Sequence, residues 1–144
     1  MQENKGRIGE NTGDVPESSP HVVTTKKILV LEDDQLIREL LKELLSFRGY
    51  IVTAAVNGVE GLKEAQQSTP DLIISDVSMP EMNGLDFITH IKDDPILKDV
   101  PFIFLSAKSR EEDLRKGLKL GADSYMFKPF SNNDLLNEIE EHIF

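Results

Sequence analysis

The sequence of 144 residues contains no cysteine, no tryptophan and only two tyrosines. Without cysteine, disulfide bonds and thiolate zinc sites are excluded. Long hydrophobic runs are also absent, since the longest apolar stretches, such as the one from Ile28 to Leu31, fall far short of the roughly 18 residues that a membrane-spanning helix requires. No apolar run near the N-terminus suits a signal peptide, so we expect a cytoplasmic protein that does not span a membrane.

Positive charge is scarce relative to negative charge. The chain has 16 Lys plus Arg against 26 Asp plus Glu, which gives a net charge of −10. Such a charge repels phosphate backbones and anionic lipid, which argues against direct nucleic-acid binding and against binding to a membrane surface. Cations are the better expected ligands.

The composition divides the chain into two parts. Residues 1–25 hold few apolar residues and no aromatic ones, which is typical of a disordered tail. Residues 26–144 have the size and composition of one ordinary domain. We therefore expect a disordered N-terminal tail over 1–25 and a single folded domain over 26–144.

Within the domain, five short apolar runs alternate with segments of helical periodicity, which predicts an α/β fold of five β-α units. The predicted strands are Ile28 to Leu31, Ile51 to Ala54, Leu72 to Ser75, Phe102 to Leu105 and Ser124 to Phe127. Most are nearly uninterrupted, as expected for strands that are covered on both faces.

Helix starts and stops are also readable from the sequence. Asn57, Ser109 and Ser131 each precede an acidic residue by three positions, which predicts N-caps for the second, fourth and fifth helices. Asp34 is expected to cap the first helix. Gly121 is expected to end the fourth.

Chemistry-bearing side chains follow four of the five predicted strands. Glu32 and Asp33 follow the first strand, Asp76 ends the third, Ser106 ends the fourth and Lys128 lies just beyond the fifth. Because ligands bind at the carboxyl ends of strands in an open parallel sheet, we expect these groups to converge on one edge. A cluster of carboxylates suits a hard cation such as Mg²⁺. A carboxylate nucleophile that becomes an aspartyl phosphate needs such a metal and a fixed cation, so the pattern predicts phosphoryl transfer to Asp76.

Five motifs occur in the order and spacing of a known family. They are Ile28 to Asp34, Pro70 to Asp76, Met79 to Gly84, Leu105 to Ala107, and Gly121 to Phe130. Together they resemble the receiver domain of bacterial response regulators in two-component (phosphorelay) signalling, over nearly all of residues 26–144. The resemblance implies a doubly wound, flavodoxin-like sandwich with a five-stranded parallel sheet in the order 2-1-3-4-5.

The resemblance also implies a role for each acidic residue. Asp76 would accept a phosphoryl group from a phosphohistidine on a sensor histidine kinase or a phosphotransfer protein. Asp33 and Asp76 would bind Mg²⁺ directly, the backbone carbonyl of Ser78 would complete the protein ligands, and Glu32 would reach the ion through water.

Four further residues take roles from the same resemblance. Ser106 would donate a hydrogen bond to one phosphoryl oxygen and shift toward it on activation, while Lys128 would contact another. Tyr125 would be the switch aromatic that turns inward when the hydroxyl moves, and Pro129 would follow a cis peptide bond. The Glu32-Asp33 pair in place of two aspartates, and serine in place of threonine at 106, leave the dephosphorylation rate open.

The expected function is therefore a signalling switch that is not an enzyme beyond its own phosphorylation and dephosphorylation. Its output partner would bind at the fourth helix, fifth strand and fifth helix, and phosphorylation could produce a homodimer. Two alternatives stay open. One is a Mg²⁺-dependent aspartyl-phosphate phosphatase, but such enzymes usually carry a second acid two residues after the nucleophile, where this chain has Ser78. The other is a receiver-like binding module that works without phosphorylation. The chain is expected to be a stand-alone regulator or the receiver part of a longer protein.

Overall fold

The computed structural model describes residues 25–144, in which strands and helices alternate along the chain. The tail predicted for residues 1–25 lies outside the described residues except for Thr25. In chain order the elements are β1 (Lys27–Leu31), α1 (Gln35–Phe47), β2 (Ile51–Ala55), α2 (Gly58–Gln67), β3 (Leu72–Ser75), α3 (Gly84–Asp93), β4 (Phe102–Ala107), α4 (Glu111–Lys119), β5 (Ser124–Lys128) and α5 (Asn132–Ile143). None of the helices in this part of the chain is long and apolar enough to cross a lipid bilayer.

The five strands form one parallel sheet in the order β2-β1-β3-β4-β5. This confirms the predicted α/β flavodoxin-like fold and its strand order. The central strands β1, β3 and β4 are almost wholly buried, whereas the edge strands β2 and β5 are partly exposed. Burial follows from position in the sheet, because helices cover both faces of the central strands.

Two hydrophobic cores lie on opposite faces of the sheet. Successive strand residues point to opposite faces, so Leu29 packs in one core and Ile28 in the other. The first core contains Phe87 of α3 and residues of α2 and α4, and the second contains Leu45 of α1 and Ile139 of α5. The apolar runs of the sequence are thus divided between two layers of helices.

The helix caps agree with the sequence except at the start of α4, and Gly121, at a φ of 119°, follows the end of that helix as predicted. The side chains of Asn57 and Ser131 accept the backbone N–H three residues on, as predicted. Ser109 does not cap α4, because it lies inside a 3-10 turn, Lys108–Arg110, that directly precedes the helix. A cap residue needs extended backbone, whereas a residue inside such a turn is helical, so the prediction for Ser109 is wrong.

Candidate functional site

One lysine joins two carboxylates at the carboxyl edge of the sheet. Lys128 is the last residue of β5, and its Nζ lies 2.7 Å from Glu32 Oε1 and 3.0 Å from Asp76 Oδ2. Glu32 directly follows β1, Asp76 directly follows β3, and both are buried. Lys128 is 96 positions from Glu32 and 52 positions from Asp76 in the sequence, so only the parallel sheet brings the three residues together.

A third carboxylate completes an acidic cluster. Oxygen atoms of Glu32, Asp33 and Asp76 all lie within 4.8 Å of one another. Asp33 is exposed while the other two are buried, so the cluster opens to solvent on one side. A set of carboxylate oxygens at this separation fits a hard divalent cation such as Mg²⁺.

The backbone around Asp76 is held from several directions. The Asp76 N–H donates to the Leu31 carbonyl at 3.0 Å, and the Ser78 N–H donates to Asp76 Oδ1 at 3.2 Å. The Ser75 hydroxyl donates to the Asp76 carbonyl at 2.8 Å. A Cβ atom at Gly84 would lie 2.3 Å from that carbonyl oxygen, so the close approach of α3 requires glycine there. These contacts set the direction in which the Asp76 carboxylate projects.

Burial and pairing shift the pKa values of two groups. Burial raises the pKa of the Glu32 carboxyl, although hydrogen bonds from Lys128 Nζ and the Asp34 N–H act in the opposite direction. Burial alone would lower the pKa of Lys128, but the hydrogen bond to Glu32 and the negative charges of Asp76 and Glu32 outweigh it and raise that pKa. Lys128 therefore stays charged at neutral pH, beside carboxylates that have lost part of their hydration.

Ser106 and Lys128 lie within strands that are longer than predicted. β4 continues to Ala107 and β5 to Lys128, because their ladder pairs Ser106 with Phe127 and Ala107 with Lys128. Ser106 is consequently a buried residue inside β4, at the same edge as the acidic cluster.

Tyr125 lies on β5 and is 41% exposed, with its ring edge-on to Phe127 at a centroid distance of 5.3 Å. The peptide bond between Lys128 and Pro129 is cis, as the resemblance implied. Asp34 caps α1 by accepting the Ile37 N–H at 3.1 Å, as predicted.

Sequence reasoning missed one basic residue at this edge. Arg38, in the first turns of α1, donates from Nη1 to the backbone carbonyls of Glu32 at 2.9 Å and Asp33 at 3.3 Å. The only signal in the sequence is a basic residue one turn into the helix that follows the acid pair.

An apolar groove of about 670 Å³ adjoins the acidic cluster and was also not predicted. Side chains of α1, including Leu40 and Phe47, form one wall, and the segment from Lys128 to Phe130 forms part of the other. Leu40 and Phe47 are 56% and 74% exposed. The groove therefore carries exposed apolar surface up to the lysine of the site.

Comparison with known proteins identifies the family. The sequence profile described as "Response regulator receiver domain" matches residues 28–140, which is most of the chain. The chain belongs to this family, the receiver domains of two-component response regulators. Membership confirms the resemblance that the five sequence motifs indicated.

Among curated relatives, the chain is 41% identical over 110 residues to the alkaline phosphatase synthesis transcriptional regulatory protein PhoP of Bacillus subtilis. The match covers 76% of this chain and 45% of that protein. It is 36% identical over 115 residues to the phosphate regulon transcriptional regulatory protein PhoB of Escherichia coli, covering 80% of this chain and 50% of that protein. The chain thus spans about half the length of these relatives.

The fold is similar to that of solved receiver structures. The chemotaxis response regulator CheY4 of Vibrio cholerae aligns with a TM-score of 0.78 and 32% identity, over 84% of this chain and 100% of that one. The receiver domain of the sensor histidine kinase PA1611 of Pseudomonas aeruginosa aligns with a TM-score of 0.77 and 26% identity, over 83% and 98% of the two chains. That structure has a magnesium ion coordinated in its active site cleft.

Proposed function

We propose that this chain is a phosphoryl-accepting switch whose acceptor is Asp76. The observation that carries the proposal is the contact of Lys128 Nζ with both Glu32 and Asp76 at the buried carboxyl edge of the sheet. A carboxylate nucleophile needs a fixed cation and a metal site beside it for phosphoryl transfer. Lys128 is such a cation, and the neighbouring acids can hold the metal.

The proposed donor is a phosphohistidine on a sensor histidine kinase or a phosphotransfer protein. An Asp76 carboxylate oxygen attacks the phosphorus atom, an O–P bond forms, and the N–P bond breaks as the imidazole leaves with the bonding electrons. Lys128 then holds one phosphoryl oxygen and the Ser106 hydroxyl donates a hydrogen bond to another. Beyond its own phosphorylation and dephosphorylation, the chain catalyses no reaction.

The acidic cluster supports a Mg²⁺ site. Asp33, Asp76 and the backbone carbonyl of Ser78 would hold the ion directly, and Glu32 would hold it through water. When bound, Mg²⁺ would neutralise negative charge on the carboxylates and on the phosphoryl oxygens. The Ser78 N–H donates a hydrogen bond to Asp76 Oδ1, which keeps Ser78 beside the acceptor. This contact supports the Ser78 carbonyl as a ligand of the ion.

The output would arise from a two-state change. Movement of Ser106 toward the phosphoryl group leaves space into which the exposed ring of Tyr125 turns, and this shifts the equilibrium of the α4-β5-α5 surface. An output partner protein or domain, or a second copy of the chain, would bind the shifted surface. The switch would operate in the cytoplasm.

The apolar groove is a suitable docking site for the phosphodonor protein. The groove extends to Lys128, so a partner helix that packs against Leu40 and Phe47 could place one of its side chains beside the acidic cluster. Exposed apolar surface that continues into a polar site is typical of interaction surfaces.

Intact-mass spectrometry tests the proposal directly. The protein is incubated with acetyl phosphate with and without Mg²⁺, next to the variants Asp76→Asn and Asp86→Asn. Asp86 is the matched control, because it is an exposed aspartate near the start of α3 and outside the acidic cluster.

We expect one phosphoryl adduct that requires Mg²⁺, that Asp86→Asn keeps and that Asp76→Asn loses. If no adduct forms, beryllofluoride distinguishes two causes, because a domain that hydrolyses its phosphate quickly still binds this mimic at Asp76. A protein that forms neither complex would be a binding module that works without phosphorylation.

A further inference from the structure

Arg38 contacts the backbone of both acidic residues that follow β1. Its Nη1 lies 2.9 Å from the Glu32 carbonyl oxygen and 3.3 Å from the Asp33 carbonyl oxygen. Side chains in a helix lean toward its N-terminus, so a residue in the first turns of α1 reaches back over the preceding loop. The guanidinium therefore lies across the loop of three residues that joins β1 to α1.

We propose that Arg38 is a positioning residue for the acidic cluster, which holds the Glu32 and Asp33 backbone so that their carboxylates are arranged for Mg²⁺. This inference rests on the proposed function, because it assumes that the cluster binds Mg²⁺. Arg38 touches neither the acceptor carboxylate nor, in the proposed arrangement, the phosphoryl group. It acts only through the two residues whose carbonyls it binds.

The surroundings explain why such a donor matters. Glu32 is only 2% exposed, so water has little access to replace a lost donor at its carbonyl oxygen. The Glu32 N–H is already bound to the Ala55 carbonyl at 3.0 Å, and the Asp34 N–H is bound to Glu32 Oε2 at 3.1 Å. Without Arg38, the buried Glu32 carbonyl would turn to find another donor, and the carboxylates of Glu32 and Asp33 would move with the peptide plane that joins these residues.

The positive charge of Arg38 alone would have the opposite effect on Mg²⁺ binding. A cation bound by Asp33 would be repelled by a guanidinium that lies across the same loop. If Arg38 acted only as a charge, its removal would strengthen Mg²⁺ binding. If it positions the loop, its removal weakens Mg²⁺ binding, so the direction of the change decides between the two.

Isothermal titration of the full chain with MgCl₂ measures that direction. The variants are Arg38→Ala, which removes charge and donors, Arg38→Lys, which keeps the charge but loses the planar fork, and Lys42→Ala as control. Lys42 lies one turn further along α1, so its removal changes the charge of the same helix without touching the loop. Circular dichroism establishes that each variant is folded.

We expect Arg38→Ala to weaken Mg²⁺ binding about tenfold, at the low end of the range for residues that orient metal ligands. Arg38→Lys should lie between Arg38→Ala and the wild type, and Lys42→Ala should bind like the wild type. Lys42→Ala should also accept phosphate from acetyl phosphate at the wild-type rate, whereas Arg38→Ala should need a higher Mg²⁺ concentration for its half-maximal rate. If Arg38→Ala does not fold, Arg38→Lys must show the weaker binding.

Unchanged or tighter Mg²⁺ binding by folded Arg38→Ala, or by Arg38→Lys where the alanine variant is unfolded, would overturn the positioning role. The proposed function would survive that result, because the wild type would still bind Mg²⁺. A wild type that binds no Mg²⁺ would overturn both. The two failures are therefore distinguishable in one set of titrations.

Discussion

Replacing Lys128 with methionine tests whether its charge holds the buried carboxylates together. Methionine keeps much of the apolar stem but removes the Nζ contacts at 2.7 and 3.0 Å with Glu32 and Asp76. At an effective dielectric constant of about 20, each pair attracts by roughly 6 kcal/mol. Desolvation of the three groups and the repulsion between the two carboxylates offset much of this.

The net loss should therefore equal the cost of leaving buried carboxylates without a cation. We expect Lys128→Met to lower the free energy of unfolding at neutral pH by about 3 kcal/mol, near the lower end of the range for broken buried ion pairs. The lower end applies because the Lys128 side chain is 19% exposed, so water replaces part of the lost interaction.

The pH dependence has a definite sign. Burial raises the pKa of Glu32 above its ordinary value of 4.5, and Lys128 is the main group that opposes the rise. In Lys128→Met the pKa of Glu32 rises further. When the pKa of a carboxyl is higher in the folded state than in the unfolded state, stability falls as pH rises above the unfolded-state pKa. The deficit of the variant should therefore be small below pH 4.5 and should widen toward neutral pH. In the wild type the Lys128 contribution persists until pH rises through the raised pKa of that lysine, above 10.5.

Urea unfolding followed by circular dichroism, in EDTA and over a series of pH values, measures this deficit. Lys119→Met is the matched control, because it removes the same charge from an exposed position on α4 and should change stability by no more than about 0.5 kcal/mol. A deficit of the same size below pH 4.5 and at neutral pH would refute the electrostatic explanation and indicate lost packing instead.

Three further predictions concern the support of the site and its surroundings. Gly84→Ala places a Cβ 2.3 Å from the Asp76 carbonyl oxygen, so it should destabilise the fold by about 1–3 kcal/mol and slow phosphorylation, as measured by urea unfolding and intact mass. Asp34→Ala removes the cap on the Ile37 N–H and should cost about 1 kcal/mol in urea unfolding, while Mg²⁺ binding in a calorimetric titration is kept. Leu40→Asp puts a charge in the apolar groove and should slow phosphotransfer from a phosphohistidine protein but not from acetyl phosphate.

Each of these three has an outcome that contradicts it. Wild-type stability of Gly84→Ala would mean that α3 can move away from Asp76 at little cost. Loss of Mg²⁺ binding in Asp34→Ala would show that the cap also supports the acidic cluster. Equal slowing of both donors by Leu40→Asp would place its effect on the chemistry rather than on docking.

Local patterns in the sequence were enough to predict the sequence of strands and helices. The apolar runs and helical periodicities of residues 26–144 predicted five β-α units, and the structure has them. The caps at Asn57 and Ser131 were also predictable, because a cap binds an N–H only three residues away. Ser109 shows the limit of that rule, since the 3-10 turn around it changes where α4 begins.

The sequence also determined which chemical groups the edge of the sheet carries. A parallel sheet brings the ends of all its strands to one edge, so the positions after predicted strands name the candidate groups. The positions of Glu32, Asp76 and Lys128 after three of the predicted strands indicate in this way that they meet.

Only the tertiary structure decided how these groups meet. Lys128 pairs with residues 96 and 52 positions away, and a sequence pattern does not report which oxygen a side chain reaches. The extra length of β4 and β5 comes from their mutual ladder, which local propensity does not specify. The sequence does not indicate the contacts of Arg38 for the same reason. They depend on the path of a loop and on the direction of one side chain, and both are set by packing between distant parts of the chain.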